Sequence, residues 1–441
     1  MNTSKMAAER IPSELVERIV TSRRLPEHVG ETVTVQGAVH RIRDVGGIAF
    51  VLVRDREDVL QAVAESAEGL EEGSWVRITG EVVAEPRAPR GVDLRIHEIE
   101  VVAQPAEPLP LVINKRMLNV SLPEKLNRRP ISLRHPRERA IFSIQAALTA
   151  GFRRFLRAHG FTEVRAPKIV SVGAEGGANL FELEYFGKQA FLAQSPQLYK
   201  QFMVGVYERV FEVGPVFRAE KHNTSRHLNE YVSLDFEMGF IRDHRDVMAM
   251  EAALLRSMLA DVAEECEEEL ALLGVALPEV GEIPSVRLAE AAEVAERELG
   301  RKVSREDLDP EAEEAVSRWA LAELGSEFLF VTHYPEAKRP FYALDDPDEP
   351  GLTRSFDLLL RGLEVTTGGQ RIHSYDQQVA KIERLGLDPA DFEHFLLLHR
   401  HGVPPHGGLA IGLERLTMKL IGLDNVREAA LFPRDLDRLT P

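Results

Sequence analysis

The stretch from Phe217 to Phe240, FRAEKHNTSRHLNEYVSLDFEMGF, contains the clearest fold signal in this 441-residue chain. It predicts a strand ending near FRAE, a basic loop, and a return strand whose side chains alternate between two faces. One face of that strand would carry apolar side chains and the other polar or small ones: Leu234, Phe236, Met238 and Phe240 against Asp235, Glu237 and Gly239. The pattern is typical of a sheet with a buried back and a polar front.

A second stretch, FDLLLRGLEVTTGGQR at 356–371, has the same character. It predicts strands with Glu364 and Thr366 on one face, followed by a Gly-Gly pair at which a ligand can approach the backbone. Apolar spacing also predicts two long helices, one from Pro136 to Gly160 and one from the N-cap Asp243 to Gly274. Antiparallel strands packed on long helices indicate an α+β domain.

The N-terminal part of the chain predicts a small β-barrel. Residues 31–104 contain five short alternating segments separated by turn signals, with a small helical piece near EGLEEGS at 68–74. Five strands in so short a span favour a barrel of the OB type. We therefore expect an N-terminal extension at 1–30, the barrel at 31–104, a linker at 105–134 that starts with the proline-rich PAEPLPL, and a larger domain at 135–441. Within that domain, 275–325 is acidic and helical in pattern.

Composition narrows the class of protein. Apolar residues make up 44% and charged residues 28%, with a net charge of −17. No apolar run is long enough to span a membrane, and the first residues lack a secretory signal, so we expect a cytoplasmic protein. The single cysteine, Cys266, excludes a disulfide framework. Residues 108–170 nevertheless hold 13 Lys or Arg and three acids, which fits either a phosphate-binding surface or a solvated helix face.

Common nucleotide and metal motifs are missing from the sequence. There is no GxxxxGK[ST] and no GxGxxG after a predicted strand, which argues against P-loop and Rossmann enzymes. HNTSRH at 222–227 lacks the further soft ligands that zinc requires.

Three separated strings carry a resemblance to a known family: GFTEVRAP at 160–167, FRAEKHNTSRH at 217–227 and GGLAIGLERL at 407–416. In this order they resemble motifs 1, 2 and 3 of the class II aminoacyl-tRNA synthetases. Finer strings narrow the resemblance to aspartyl-tRNA synthetases of class IIb, in their compact archaeal-type form: GAEGGANLF at 173–181, QSPQLYKQ at 194–201, RHLNE at 226–230, GLEVTTGGQR at 362–371 and LFPRDLDRLTP at 431–441.

The resemblance implies a two-step reaction in which ATP activates L-aspartate and aspartyl-adenylate then esterifies the tRNA 3′ end. Arg218 and Arg415 would be the catalytic residues, with Arg218 bridging the aspartate carboxylate and the α-phosphate. Mg²⁺ is implied as a cofactor, held by Glu364 and Thr367, with Asp357 as a further acid. The positions matching the family's ATP site are Arg218, Glu220, Arg226, His227, Leu228, Glu364, Gly412, Leu413, Glu414 and Arg415.

The same resemblance implies an aspartate site. Lys200 and Arg371 match the residues that bind the side-chain carboxylate, and Glu175 matches the residue that takes the ammonium group. The full implied set is Glu175, Gln197, Lys200, Arg218, Asp235, Thr367 and Arg371. Asparaginyl-tRNA synthetase shares the three motifs but is not expected to hold Lys200, so aspartate is favoured. A synthetase-like paralogue used for tRNA binding or amide synthesis is the remaining alternative.

The barrel would then read the anticodon, with Phe50 as a stacking surface and Gln61 as a base contact. Relatives restricted to tRNA(Asp) often resemble one another in a Trp and a Lys where this chain has His40 and Pro89. Proline has no side-chain donor, so we expect a non-discriminating enzyme that also charges tRNA(Asn), upstream of a separate amidotransferase. The alternative that His40 and Pro89 are only structural stays open. The branch also resembles homodimers, with the motif 1 helix and Pro167 at the interface.

Overall fold

The computed structural model describes residues 19–171, 173 and 179–441. It divides the chain into two compact units, one ending at Glu138 and the other running from Arg139 to Pro441. The domain limits expected from the sequence stay a prediction.

The first unit contains a closed five-stranded barrel with strand order β1-β2-β3-β5-β4. Its strands are β1 (Thr32–Val45), β2 (Ile48–Arg54), β3 (Val59–Ala64), β4 (Trp75–Ala84) and β5 (Val92–Ala103). Buried and accessible residues alternate along β4, and Val35, Val51 and Ile78 are fully buried in the barrel core. The five-stranded barrel predicted from the sequence is therefore confirmed. The prediction of a short helical segment near residues 68–74 is wrong, because those residues form turns.

Two short helices follow the barrel, α1 (Leu122–Asn127) and α2 (Arg129–Ser132). Lys125 and Arg129 both donate to the Glu138 carboxylate, at 2.8 and 2.9 Å. Arg129 is fully buried, so part of the basic charge in 108–170 is neutralised inside the unit and is not available to a ligand.

The long helix α3 (Pro136–Ala158) matches the prediction, and Gly160 follows it at φ +79°. The second predicted helix differs. It forms α5 (His244–Glu265), with Asp243 as its N-cap, and α6 (Glu267–Leu273), separated by Cys266. The break places Glu267, Glu268 and Glu269 in the first turn of α6, where the helix dipole favours acidic side chains.

An eight-stranded mixed sheet forms the centre of the second unit, with strand order β12-β13-β14-β15-β16-β11-β10-β6. The outermost pair at each edge is parallel and the pairs between them are antiparallel. The strands are β6 (Thr162–Glu163), β10 (Arg209–Phe217), β11 (Glu230–Gly239), β12 (Ser285–Arg287), β13 (Phe328–Thr332), β14 (Ser355–Leu360), β15 (Leu363–Gln370) and β16 (His406–Gly412). A separate sheet holds β7 (Ile169–Val170), β8 (Glu182–Tyr185) and β9 (Lys188–Leu192).

Helices cover the sheet and complete the α+β fold predicted from the sequence. They are α4 (Gln197–Tyr207), α7 (Leu288–Leu299), α8 (Pro310–Leu324), α9 (Tyr375–Arg384), α10 (Glu393–Arg400) and α11 (Leu413–Ile421), together with α3, α5 and α6. The helical pattern predicted for 275–325 is thus present as α7 and α8. None of the helices in the described residues is both long and apolar enough to cross a lipid bilayer.

Strand register decides which side chains share the front of the sheet. One row of paired residues crosses five strands: Glu212, Asp235, Ala410, Thr367 and Asp357. Leu234, Phe236 and Met238 pack into the core behind β11, as predicted. Phe240 does not join them, because β11 ends at Gly239 and Phe240 is 71% exposed.

The predicted pairing of Glu364 with Thr366 on one face is also wrong. The register of β14 against β15 shifts between Leu358 and Leu359, and this bulge inserts one residue between Glu364 and Thr366. Consequently Glu364 shares the front face with Thr367, while Thr366 is buried at the back.

Candidate active site

A pocket of about 640 Å³, including its open mouth, lies on the front of the sheet in the second unit. Its floor is made by β11, β15 and β16, and its walls by the loop between β10 and β11 and by the start of α11. The lining residues are Arg218, Glu220, Arg226, His227, Leu228, Tyr231, Ser233, Glu364, Val365, Thr367, Ala410, Gly412, Glu414, Arg415 and Val426.

Nine of the ten residues expected to bind ATP line this pocket together: Arg218, Glu220, Arg226, His227, Leu228, Glu364, Gly412, Glu414 and Arg415. The tenth, Leu413, is buried in the apolar core. Glu414 accepts from the backbone N–H of Val232 at 3.1 Å, which ties α11 to β11. Burial raises the pKa of Glu414 to about 8.

The loop between β10 and β11, residues 218–229, is held from both sides. Inside the loop, Asn229 donates to the carbonyl oxygens of Arg218 and Glu220, at 2.7 and 3.1 Å. From outside, Arg427 donates to the carbonyl of Thr224 at 3.0 Å and to the side chain of Asn223. The loop that carries five of the predicted ATP contacts is therefore fixed in part by Arg427, which lies 203 positions from Thr224 in the chain.

Arg415 connects this loop to the strand that carries Glu364. The Arg415 guanidinium donates to the carbonyl oxygens of Arg226 and Glu364, at 3.3 and 3.2 Å. His227 lies 3.6 Å from the Glu220 carboxylate. Burial lowers the pKa of His227, and Arg415 and Arg226 lower it further while Glu220 opposes them. At neutral pH His227 is thus a neutral hydrogen-bonding group.

Next to the pocket, beneath α4, lies a cluster of four buried charges that we call the charge cluster: Lys200, Asp235, Glu237 and Arg371. Lys200 Nζ donates to Asp235 Oδ1 at 3.0 Å and lies 3.3 Å from Glu237 Oε2. Arg371 Nε donates to Glu237 Oε1 at 2.8 Å. Burial alone would raise the pKa of Glu237, but Arg371 and Lys200 reverse the shift and lower it. Every charge in the cluster therefore has an opposite charge beside it.

The floor of the charge cluster depends on a glycine. A Cβ on Gly408 would lie 2.3 Å from Glu237 Oε2 and 2.1 Å from the carbonyl oxygen of Phe236. Only glycine leaves room there for the Glu237 carboxylate, which explains one of the three glycines in GGLAIG.

Three oxygen donors predicted for a metal share the front face. The Thr367 hydroxyl donates to Glu364 Oε1 at 3.1 Å, and Asp357 pairs with Thr367 across the strands. Asp357 accepts from Arg339 at 2.7 Å. Burial raises the pKa of Asp357 to about 6 despite Arg339, and Glu364 adds to the rise. No group of three or more His, Cys, Asp or Glu side chains that would hold a metal by itself occurs in the part of the chain that the structure describes.

The remaining predicted residues are distributed as follows. Gln197 is buried at the start of α4, in the same helix as Lys200. Glu175 lies outside the described residues. In the first unit, Gln61 is buried and bridges Arg43 and Asp93, at 3.0 and 2.9 Å. Phe50 is half-buried on β2 and pairs with Arg43.

The two residues expected to affect tRNA choice have different surroundings. His40 is buried and sits at the register shift between β1 and β2. Pro89 is exposed in the turn before β5.

Sequence reasoning missed several residues of the site. Tyr231 and Ser233 line the pocket, and both share the alternation that identified Asp235, so the strand pattern contained the signal. The alternation places Glu237 on the polar face but does not indicate that it pairs with Arg371. Arg339 and Glu313, which pair with Asp357 and Arg226, come from distant segments without a local signal.

Comparison with known proteins agrees with this geometry. Residues 121–436 match the model of the class II tRNA synthetases (D, K and N), and residues 33–109 match that of the OB-fold nucleic acid binding domain. Because the first match covers well over half of the chain, the chain belongs to the class II tRNA synthetases of this group.

Particular relatives narrow the comparison. The chain is 48% identical over 426 residues to the aspartate--tRNA(Asp/Asn) ligase of Deinococcus radiodurans, covering 95% of this chain and 98% of that protein. It is 49% identical over 423 residues to the protein of the same name from Thermus thermophilus, covering 96% and 100%. Asparaginyl-tRNA synthetase from Pyrococcus horikoshii, solved with asparaginyl-adenylate, has a similar fold at 32% identity, with a TM-score of 0.89 over 97% of this chain and 100% of that one.

Proposed function

We propose that the protein is an aspartate--tRNA ligase that acts on both tRNA(Asp) and tRNA(Asn). The observation that carries this proposal is the charge cluster beside the pocket, because Lys200 and Arg371 are the cations that a substrate with a side-chain carboxylate requires. Two relatives that share almost half of their residues with this chain have the same activity in their names.

Both steps of the reaction need positioning and positive charge. In the first, an α-carboxylate oxygen of aspartate attacks the α-phosphorus of ATP, and the bond to pyrophosphate breaks. In the second, the terminal hydroxyl of the tRNA attacks the adenylate carbonyl and AMP leaves. A carboxylate is already a nucleophile, so the first step needs no side-chain base. Arg218 would bridge the carboxylate and the α-phosphate, while Arg226, His227 and Arg415 would hold the other phosphates.

Aspartate binding would keep every buried charge paired by exchanging partners. Asp235 and Lys200 neutralise each other at 3.0 Å in the charge cluster. The substrate brings one ammonium group and a side-chain carboxylate, which suit Asp235 and Lys200 respectively. Arg371 would supply the second cation to the carboxylate, and Gln197, Thr367 and Glu175 would complete the site. Asparagine brings the ammonium group but no side-chain charge, so Lys200 would exchange the Asp235 carboxylate for a neutral amide.

Mg²⁺ fits the donors on the front face. Glu364, Thr367 and Asp357 offer hard oxygen atoms, and Mg²⁺ usually takes one or two carboxylates together with substrate phosphates. The ion would neutralise phosphate charge as the leaving group forms. For the chain's own part, Glu364 and Thr367 would fix the phosphates relative to Arg218, and Arg339 would keep the Asp357 carboxylate in place.

The barrel would bind the anticodon, with Phe50 as a stacking surface and Gln61 as a base contact. The Gln61 side chain is already oriented by Arg43 and Asp93. With His40 and Pro89 where a more selective enzyme has Trp and Lys, the enzyme would accept both anticodons. The resulting Asp-tRNA(Asn) would require an amidotransferase. A homodimer with Pro167 at its interface is a prediction from the resemblance, and a cytoplasmic location is a prediction from the composition.

Two assays test the proposal. ATP–pyrophosphate exchange with magnesium should depend on aspartate and not on asparagine; no exchange would contradict an enzyme, and exchange with asparagine would favour the asparaginyl alternative. Aspartylation of both tRNA transcripts should then give a ratio of about ten or less, rising in His40→Trp/Pro89→Lys. A preference for tRNA(Asp) above roughly 1,000-fold would contradict acceptance of both tRNAs.

A further inference from the structure

Helix α8 places one carboxylate against the ATP pocket. Asp309 caps the helix and Pro310 begins it, so Glu313 lies one turn inside. The Glu313 residue is 8% exposed and its carboxylate accepts from the guanidinium of Arg226. Its neighbour Glu314 points the other way, with 60% of its side chain exposed. The helix therefore presents a single acid to the loop at 218–229.

Arg226 is held separately through its backbone and through its side chain. Its backbone carbonyl accepts from Arg415, and its own backbone N–H donates to the Thr224 hydroxyl at 3.2 Å. These contacts fix the main chain. The guanidinium is held separately by Glu313, with 20% of the side chain exposed at the pocket. The side chain can consequently change partner without movement of the loop.

The ion pair matters because of where it lies. Arg226 lines the pocket next to Arg218, Arg415 and His227, which makes it part of the positive surface for a polyphosphate. While Glu313 neutralises it, the pocket carries one less available cation. A phosphate group that enters the pocket competes with Glu313 for the same guanidinium, because arginine binds both phosphate and carboxylate groups through two parallel hydrogen bonds.

We propose that Glu313 is the resting counter-ion of Arg226, from which the triphosphate of ATP takes the arginine over. Glu313 is then a positioning residue that keeps Arg226 extended over the pocket and weakens ATP binding by competing for it. This inference rests on the proposed function, since it needs ATP as the ligand. The proposal assigns a positioning residue to the acidic segment 275–325, whose sequence pattern indicates no function.

Titration of ATP with magnesium, in the absence of aspartate, tests the exchange. Glu313→Gln should bind ATP about five- to tenfold more tightly than the unmodified protein. Glu314→Gln, the same change on the adjacent exposed residue, should leave the Kd within twofold. Glu313→Ala should change the Kd in the same direction as Glu313→Gln, and thermal unfolding should show that both variants are folded. KM for aspartate should not change in any of them.

The same titration in a variant that lacks Arg226 distinguishes exchange of the arginine from simple repulsion between Glu313 and the phosphates. Arg226→Gln should weaken ATP binding, and adding Glu313→Gln to it should give no tightening, because no arginine is left to release. An equal tightening in that background would overturn the proposal, as would an unchanged or higher Kd in both Glu313 variants. If the unmodified protein bound no ATP, the proposed function would fail instead.

Discussion

The two halves of the sheet's front face handle charge in opposite ways. In the amino-acid half, the side chains of Lys200, Asp235, Glu237 and Arg371 are at most 7% exposed and pair with one another. In the ATP half, side-chain exposure is 35% for Glu364, 28% for Arg415 and 20% for Arg226. A small substrate of fixed charge can be matched by buried side chains that keep their positions and exchange one partner for a charged group of the substrate, whereas a flexible polyphosphate with its cations needs more exposed side chains that can move.

The two halves are also built from different kinds of chain segment. The charge cluster is built on regular elements, with Asp235 and Glu237 two residues apart on β11 and Lys200 on α4. The ATP half depends on the loop at 218–229, which takes its order from Arg427 and the C-terminal segment. Asn229 donates its backbone N–H to the Arg434 carbonyl at 2.9 Å, and Arg427 pairs with Asp435.

The largest effect is expected from Glu364→Ala in the ATP half. The variant should lose adenylate formation, because Glu364 and Thr367 are the oxygen donors proposed to hold Mg²⁺ for the phosphates. Pyrophosphate exchange over a magnesium series measures the loss. Binding of tRNA should persist, and its parallel collapse would indicate misfolding.

The adjacent threonines of β15 give this prediction a matched control. Thr367→Val should reduce exchange strongly, while Thr366→Val, on the buried face behind the strand, should leave the KM for ATP and for magnesium unchanged. Equal losses in both variants would show that β15 acts only as a structural element.

In the amino-acid half, Arg371→Leu or Lys200→Met should lower kcat/KM for aspartate at least about 100-fold while ATP binding persists. Removing one member also strands a buried carboxylate, at a stability cost of about 3–5 kcal/mol. Glu237→Leu combined with Arg371→Leu should recover stability but not activity. Near-normal aspartate activation in both single variants would refute the assignment of the cluster.

Much of this arrangement follows from local sequence pattern. Alternation along β11 identifies the polar face, and the spacing of apolar residues identifies α3, because period-two and period-3.6 patterns reflect burial on one side. The bulge that separates Glu364 from Thr366 leaves no such signature, since it depends on the partner strand. Likewise, Glu313 meets Arg226 and Arg339 meets Asp357 only through tertiary packing. The spacing of apolar residues does not mark the break at Cys266 either.

Behind the ATP half lies a buried carboxyl group that neither pairs with a cation of the described residues nor reaches solvent, but keeps its proton. Glu251 on α5 is fully buried and has no ion pair among the described residues. Burial raises its pKa to about 8, with Asp357 adding to the rise and Thr366 opposing it. An unfolded chain releases this proton near the ordinary glutamate pKa of 4.5, so between pH 4.5 and about 8 the folded state retains a proton that the unfolded chain has lost. Stability should therefore fall as pH rises from about 4.5 to 8.

Glu251→Gln removes this dependence. The variant should match the unmodified protein at pH 5 and exceed its stability by about 2 kcal/mol at pH 8, since each unit of pKa shift corresponds to about 1.4 kcal/mol and buried sites relax. Unfolding midpoints from pH 5 to 8 provide the measurement. Parallel curves would mean that Glu251 is ionised when folded.

The smallest effect, about five- to tenfold, is expected from Arg427→Met, and it bears most directly on the comparison. Arg427 pairs with Asp435, and it holds Asn223 and Thr224 in the loop that carries Arg226 and His227. Its loss should raise KM for ATP, because the loop must be ordered when the phosphates bind. KM for aspartate should stay within twofold, and Arg242→Met, which removes an exposed pair with Asp246, should change neither constant. If both KM values rose together, the two halves would share one framework, and the division between a fixed amino-acid site and an adaptable ATP site would be wrong. If only KM for ATP rises, the order of the ATP half is supplied by the C-terminal segment, whereas the amino-acid half is ordered by its own paired charges.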